Sequence, residues 1–139
     1  MTDAGPVADL VPHAPPMLAL DALVEWADGE ATATMTVDPS APYVVDGRVG
    51  SAWTLEFMAQ SVAACLGRAA FLEGGGVRVG MVVSCRKLSV ARPWIPAGTA
   101  LTLRCRRLRG TDASSQFETS CHDDDGEVAR ATMTLLHVG

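Results

Sequence analysis

The residues best suited to chemistry are a carboxylate and a carboxamide within an apolar stretch. Glu56 and Gln60 lie in "LEFMAQSVAA", residues 55–64. Side chains four positions apart share one face of a helix, so these two should lie side by side. A desolvated carboxyl group holds its proton more readily, which suits a general acid or a general base. The spacing alone is equally typical of a helix face that is hydrogen-bonded to a loop or to a partner subunit.

A histidine in a proline-rich segment is the second candidate. His13 stands in "LVPHAPPM", residues 10–17, where three prolines disfavour helix. Loops held rigid often carry function. Taken alone, the sequence favours a histidine that only fixes this loop through backbone hydrogen bonds. His122 precedes three aspartates in a predicted solvated turn, and His137 lies near the C-terminus, so both are weaker candidates.

The predicted start of the helix offers a third group. Gly50, Ser51 and Ala52 precede the apolar stretch, and Ser51 is a plausible N-cap. The first N–H groups of a helix have no partner within the helix and lie at the positive end of its dipole. They could polarise a carbonyl group as an oxyanion hole does. An ordinary capped helix start fits the same residues.

Basic residues recur in the C-terminal half and could receive an acidic partner. They are Arg86, Lys87, Arg92, Arg104, Arg106, Arg107 and Arg109. A solvated strand face is at least as good an interpretation of this pattern.

Composition limits the class of protein. The chain has 139 residues, 48% of them hydrophobic, which suits one domain spanning residues 1–139. The net charge of −5 argues against a nucleic-acid or anionic-membrane partner. The four cysteines include no CxxC pair, and the N-terminus lacks the pattern of a secretory signal. We therefore expect buried reduced thiols, no metal site and a cytoplasmic location.

The order of elements predicts an α+β fold. Alternating apolar and polar residues indicate six strands, at 18–29, 30–38, 78–90, 99–110, 114–124 and 127–138. One long helix is predicted over residues 51–73, apolar around most of its circumference but interrupted by Glu56, Gln60 and Arg68. Such a helix should be central rather than membrane-spanning. We expect a curved antiparallel sheet wrapped around it, with the sheet edges hidden in a dimer.

The chain resembles the hot-dog-fold dehydratases that act on 3-hydroxyacyl-acyl carrier protein. The matching segments are residues 10–26, 55–64 and 79–103, of which "LEFMAQ" followed by "PAG" is the most specific. Standard fatty-acid dehydratases carry a histidine in a loop before the central helix, where this chain has "APYVVDGRVGSAW" without one. The chain is therefore more similar to a divergent branch associated with aryl polyene synthesis, which implies that the histidine in question is His13.

The resemblance implies a mechanism and a site at a dimer interface. His13 would be the base at C2 of the acyl group, and Glu56 the acid for the 3-hydroxyl group. Residues 50–52 and Gln60 would bind substrate carried on the phosphopantetheine arm of an acyl carrier protein. No metal or redox cofactor is implied. The dimer could be a homodimer or a heterodimer with a related subunit, and the alternatives are a hot-dog acyl thioesterase and a non-catalytic acyl-binding subunit.

Overall fold

The computed structural model describes residues 18–72, 74, 79–111 and 113–138, so His13 lies outside the described part of the chain. Within that part, strands flank one long helix. The elements are β1 (Ala22–Ala27), β2 (Glu30–Thr36), β3 (Arg48–Gly50), a 3-10 turn (Ser51–Trp53), α1 (Thr54–Leu72), β4 (Val79–Val90), β5 (Trp94–Pro96), β6 (Ala100–Gly110), β7 (Ser114–Asp123) and β8 (Gly126–Val138).

Six strands form one antiparallel sheet in the order β1-β2-β6-β7-β8-β4. The sheet therefore has β1 and β4 as its edges. Its first hairpin turns at Asp28-Gly29, where Gly29 adopts a φ of 83°, a conformation that glycine reaches without steric cost. This hairpin and the four long C-terminal strands confirm the sequence prediction.

The inner face of the sheet packs on α1. Along β6, Leu101, Leu103 and Cys105 are buried, whereas Arg104 and Arg106 are exposed on the other face. The largest fully buried side chains include residues of the helix and of several strands, namely Phe57, Met58, Leu23, Phe117 and Met133. Burying each such side chain contributes about 1.5–3 kcal/mol, so the helix–sheet contact is the main source of stability.

The helix is a core element although its composition resembles a membrane span. Within Ser51–Leu72, the most apolar window of 18 residues has a mean hydropathy of 1.2, and 56% of that window is buried inside the protein. Strands β6, β2 and β7 contact the helix most extensively. The prediction of a central, sheet-wrapped helix is confirmed.

Two short strands were not predicted. β3 and β5 form a separate antiparallel ribbon in which Arg48 pairs with Pro96 and Gly50 with Trp94. Three residues are too few for an alternating pattern to be recognised, and prolines at 93 and 96 indicated a loop. The ribbon matters because β3 leads directly into the 3-10 turn and α1.

All four cysteines are free, as the sequence predicted. Cys65, Cys105 and Cys121 are buried, and Cys85 is half-buried. Burial raises the pKa of Cys121 to about 12, and a hydrogen bond with Cys65 together with burial raises the pKa of Cys105. The thiols of Cys105 and Cys121 are therefore protonated and unreactive at neutral pH.

Candidate active site

A cavity of about 310 Å³ opens at the start of α1. The 3-10 turn, the first turns of α1 and strand β8 supply its walls. The described lining residues are Ala52, Trp53, Leu55, Glu56, Ala59 and Met133. Glu56 is the one ionisable residue among them, so the described lining presents a single carboxyl group to an otherwise apolar space.

Gln60 fixes the position of that carboxyl group. Its Nε2 donates a hydrogen bond to Glu56 Oε1 at 3.0 Å, which confirms that the two residues share a helix face. Its Oε1 accepts a hydrogen bond from the backbone N–H of Ala19 at 2.9 Å. Gln60 is fully buried, whereas Glu56 is half-buried. The carboxamide thus links Glu56 to the segment that precedes β1.

The start of the helix differs from the sequence prediction. Ser51 is the first residue of the 3-10 turn and not the N-cap of α1, which begins at Thr54, and its hydroxyl donates to the carbonyl of Arg92. Its N–H is not free either, since it donates to the carbonyl of Pro93 at 2.9 Å. Gly50 is paired in the β3–β5 ribbon, and Ala52 is the member of the trio that lines the cavity. Local sequence could not reveal these contacts, which come from the loop after β4.

The two histidines among the described residues, His122 and His137, both lie in strands. His13 lies outside the described residues, so its prediction stays untested. His122 is not in a solvated turn but in β7, half-buried, with Nε2 2.8 Å from Ser120 Oγ. Desolvation and the nearby Arg104 charge lower the pKa of His122. His137 belongs to β8, where it pairs with Gly80 of β4.

The basic residues do not gather at the cavity near α1. Arg104 and Arg106 point to the outer face of the sheet, away from the helix. Together with Arg130 of β8, they line a cavity on that face. Arg107 pairs instead with Asp28, and Arg92 with Asp123. Sequence analysis missed Arg130, although its alternation with buried Ala129 and Ala131 was a visible signal of an outward side chain.

The described residues contain no cluster of three or more His, Cys, Asp or Glu side chains that could hold a metal ion. The cavity at α1 offers the carboxyl group of Glu56, which suits proton transfer.

Comparison with known families decides the relationship. Residues 5–138 match the ApeP-like family, described as ApeP dehydratase. The chain belongs to the ApeP-like dehydratase family. The match covers nearly the whole sequence, including the cavity at α1 and the segment that carries His13.

Solved structures give the fold of this ApeP-like protein. The dehydratase heterocomplex ApeI:P from Xenorhabdus doucetiae aligns with a TM-score of 0.91 at 19% identity, covering 97% of this chain and 92% of that one. A mutant of the phenylacetic acid degradation protein PaaI from Thermus thermophilus aligns at 0.65 and 17% identity, covering 87% and 95%. A hypothetical thioesterase with coenzyme A from Streptococcus pneumoniae aligns at 0.63 and 14%, covering 84% of each chain.

These likenesses establish the α+β hot-dog fold expected from the sequence. No curated protein matches the chain. Within the ApeP-like fold, the central hot-dog helix is α1, and Glu56 stands near its start, facing the cavity.

Proposed function

We propose that this ApeP-like protein dehydrates a 3-hydroxyacyl thioester to the trans-2-enoyl thioester, with the acyl group in the cavity at the start of α1. The observation that carries the proposal is Glu56, held by buried Gln60 within an otherwise apolar lining. An apolar cavity with one oriented polar group is typical of a site for a small apolar substrate. Membership of a dehydratase family supports the same reaction.

Glu56 is the proposed general acid. Dehydration moves the C2 proton to a base and breaks the C3–O bond, while a proton is delivered to the departing hydroxyl group so that water leaves. Protonated Glu56 would supply that proton and become a carboxylate. The hydrogen bond from Gln60 Nε2 to Glu56 Oε1 restricts the rotation of the carboxyl group.

His13 is the proposed base. Ala19 is hydrogen-bonded to Gln60, which in turn contacts Glu56. The segment that follows His13 in the chain therefore comes close to the proposed acid at Ala19. His13 stands six positions before Ala19, a span of at most about 20 Å, so the chain length allows His13 to reach Glu56. A neutral imidazole, with an unperturbed pKa of about 6.5, suits removal of a C2 proton near neutral pH.

We propose fewer groups for binding the thioester than the sequence predicted. Because the Ser51 N–H donates to Pro93 and Gly50 is paired in the ribbon, Ala52 remains the best placed of the three to polarise the carbonyl. Gln60 is fully buried and lies behind Glu56 rather than in the cavity lining. We therefore assign Gln60 to positioning instead of substrate contact.

The proposed substrate is carried on the phosphopantetheine arm of an acyl carrier protein, in the cytoplasm. The proposed assembly is a dimer with a second copy or a related subunit, formed along the edge strand β4. Leu88 and Val90 of this strand are 44% and 40% exposed, and an uncovered apolar edge favours pairing. A dehydratase heterocomplex among the similar structures supports a heterodimer.

One assay tests the reaction. The chain, alone and with any related subunit that co-purifies, is incubated with a 3-hydroxyacyl-carrier thioester, and enoyl formation and thiol release are both followed. Enoyl product without free thiol is the expected result. Thiol release would identify a thioesterase, in which Glu56 activates water. Absence of both products would identify a non-catalytic acyl-binding subunit and would overturn the proposal.

Substitution at Gln60 tests its positioning role. Gln60→Leu removes both the donor to Glu56 and the acceptor for Ala19, so we expect kcat to fall about tenfold to hundredfold while KM changes little. Loss of these buried hydrogen bonds should also lower the free energy of unfolding by about 1–3 kcal/mol. Steady-state kinetics and denaturant unfolding measure the two effects.

Ser61→Ala is the matched control for this variant. Ser61 is a fully buried neighbour whose hydroxyl donates to Met58 O at 2.6 Å, so its loss affects the same helix without touching Glu56. A fall in kcat that is equal in the two variants would show that Gln60 acts only through stability.

Enlarging Ala59 tests whether the cavity holds the acyl chain. The ring of Ala59→Phe would occupy part of the space beside Glu56, so we expect kcat/KM to fall about tenfold or more, with a smaller loss for shorter acyl groups. Val24→Phe adds the same ring at an exposed position of β1 and should leave kcat/KM unchanged. Equal kinetics for the two variants would place the acyl group elsewhere.

A further inference from the structure

A second cavity lies on the outer face of the sheet, on the side opposite α1. Its volume is about 340 Å³, and strands β1, β2, β6, β7 and β8 supply its lining. The polar lining residues are Glu25, Glu30, Thr32, Arg104, Arg106, Glu118, Ser120, His122 and Arg130. Because the sheet separates this cavity from the proposed active site, the dehydration chemistry does not use it.

Strand register brings two arginines to one serine. Arg104 of β6 is directly opposite Ser120 of β7, which is directly opposite Arg130 of β8. Opposite residues of an antiparallel pair have Cβ atoms about 4.5–5.5 Å apart, so two arginine side chains start on either side of one serine, and all three line the cavity. Ser120 is 7% exposed and therefore forms the floor of the cavity between them.

His122 adds a fourth polar group to the same place. It follows Ser120 by two positions on the same strand face, and its Nε2 lies 2.8 Å from Ser120 Oγ. Desolvation and the charges of Arg104 and Arg130 lower the pKa of His122, against a raising effect of Glu127. The imidazole is therefore neutral at pH 7 and shares a hydrogen bond with the hydroxyl group.

Arg104 differs from its neighbours in its ion pairing. Glu118 contacts Arg106 at 3.5 Å and Arg130 at 3.2 Å, and Arg130 also contacts Glu127 at 2.7 Å. None of the ion pairs among the described residues includes Arg104. A guanidinium group at the wall of a cavity, with no carboxylate of the described chain holding it, is available to an anionic ligand.

The remaining carboxylates lie toward the other end of the cavity. Glu30 is on β2 and Glu25 on β1, which are two and three strands away from Ser120. At a spacing of about 4.8 Å per strand, these distances are roughly 10 and 14 Å. The end around Ser120 is thus cationic through Arg104, with Arg130 shared by Glu118 and Glu127, and the end near β1 is acidic.

We propose that the cationic end binds a phosphate group, held by Arg104 and Arg130 with one further hydrogen bond from the Ser120–His122 pair. Arginine matches phosphate oxygens with two parallel hydrogen bonds. Two guanidinium groups and one neutral donor can satisfy more acceptor oxygens than a carboxylate possesses, which favours a tetrahedral oxyanion. The acidic end would accept hydroxyl or amine donors from the rest of a phosphate monoester.

Titration of the full-length chain tests this site. Inorganic phosphate and glycerol 3-phosphate are added separately at constant ionic strength, and the imidazole resonances of His122 are followed by NMR. We expect a saturable shift and a higher pKa for His122, because a bound anion favours the imidazolium form. Tighter binding of glycerol 3-phosphate would identify a monoester as the preferred source, and equal binding would identify the phosphate group alone.

Matched arginine variants make the test specific. Arg104→Gln should weaken phosphate binding by about 10-fold to 100-fold, the loss expected for a charge-assisted contact. Arg109→Gln, on the same strand but outside the cavity, should bind as the wild type does. Thermal unfolding confirms that both variants fold.

Two results would overturn the proposal: no saturable shift in the wild type, or equal phosphate affinity in the Arg104 and Arg109 variants. Dehydration rates are a separate readout. We expect Arg104→Gln to keep the wild-type rate of enoyl formation, because the sheet lies between this arginine and Glu56.

Discussion

Glu56→Gln should reduce enoyl formation by about 100-fold to 10,000-fold, the contribution typical of a general acid. The carboxamide has nearly the same shape as the carboxyl group but cannot release a proton to the departing hydroxyl group. It can still accept the hydrogen bond that Gln60 Nε2 donates to Glu56 Oε1, so the fold should be preserved. Single-turnover formation of the enoyl thioester measures the effect, and thermal unfolding measures stability.

Glu30→Gln is the matched control for this change. Glu30 is exposed at the start of β2 on the outer face of the sheet, far from the cavity at α1. The same chemical change there should leave the rate of enoyl formation unaltered. A Glu56→Gln variant with the wild-type rate would remove Glu56 from the mechanism, whatever the control shows.

His13→Asn should cause a loss of similar size, because dehydration needs a base at C2 as well as an acid at C3. Asparagine retains hydrogen-bonding groups but does not accept a proton near neutral pH. The pH profile gives a second readout. A histidine base must be neutral, so the wild-type kcat/KM should fall as the pH decreases through about 6.5, and the residual activity of the variant should lack this limb.

His122→Asn is the control for the imidazole. His122 lies on the outer face of the sheet against Ser120, so its replacement should change neither the rate nor its pH profile. If His13→Asn kept the wild-type rate and the acidic limb of the profile, the base would be another group. A loss of stability without a change in kcat would indicate that His13 only fixes the N-terminal segment.

The sequence predicted the architecture well because its signals are local. The alternation of Leu101, Leu103 and Cys105 with Thr102 and Arg104 is imposed by the two-residue period of a strand. The pairing of Glu56 with Gln60 follows from the helical period in the same way. Both features appeared as predicted, since neither depends on contacts from distant segments.

The start of the helix depended on distant segments. Ser51 resembles an N-cap by residue type, but its hydroxyl and its N–H are engaged by the carbonyls of Arg92 and Pro93. These partners stand about forty positions later in the chain, and the short β3–β5 ribbon that brings them together has no periodic signature. The helix therefore begins with a 3-10 turn, and α1 starts at Thr54.

The tertiary structure also determines which charged side chains lie close together. The sequence groups the arginines of β6 as one basic stretch, yet Arg107 pairs with Asp28 while Arg104 faces the outer cavity. A bulge between Arg107 and Arg109 interrupts the alternation at this end of the strand. Which face carries charge can be inferred from alternation, but which charges meet depends on strand register.

The sequence by itself determined the sheet-wrapped central helix and the Glu56–Gln60 pair on one face of it, because residue periodicity encodes which side chains share a face. Only the tertiary structure determined which residues of other elements contact each face of the helix and of the sheet. Gln60 reaches Ala19, and Ser120 lies between Arg104 and Arg130, because strand order and register join segments that are far apart in the chain. Those pairings arise from packing of the whole domain, which no local pattern specifies.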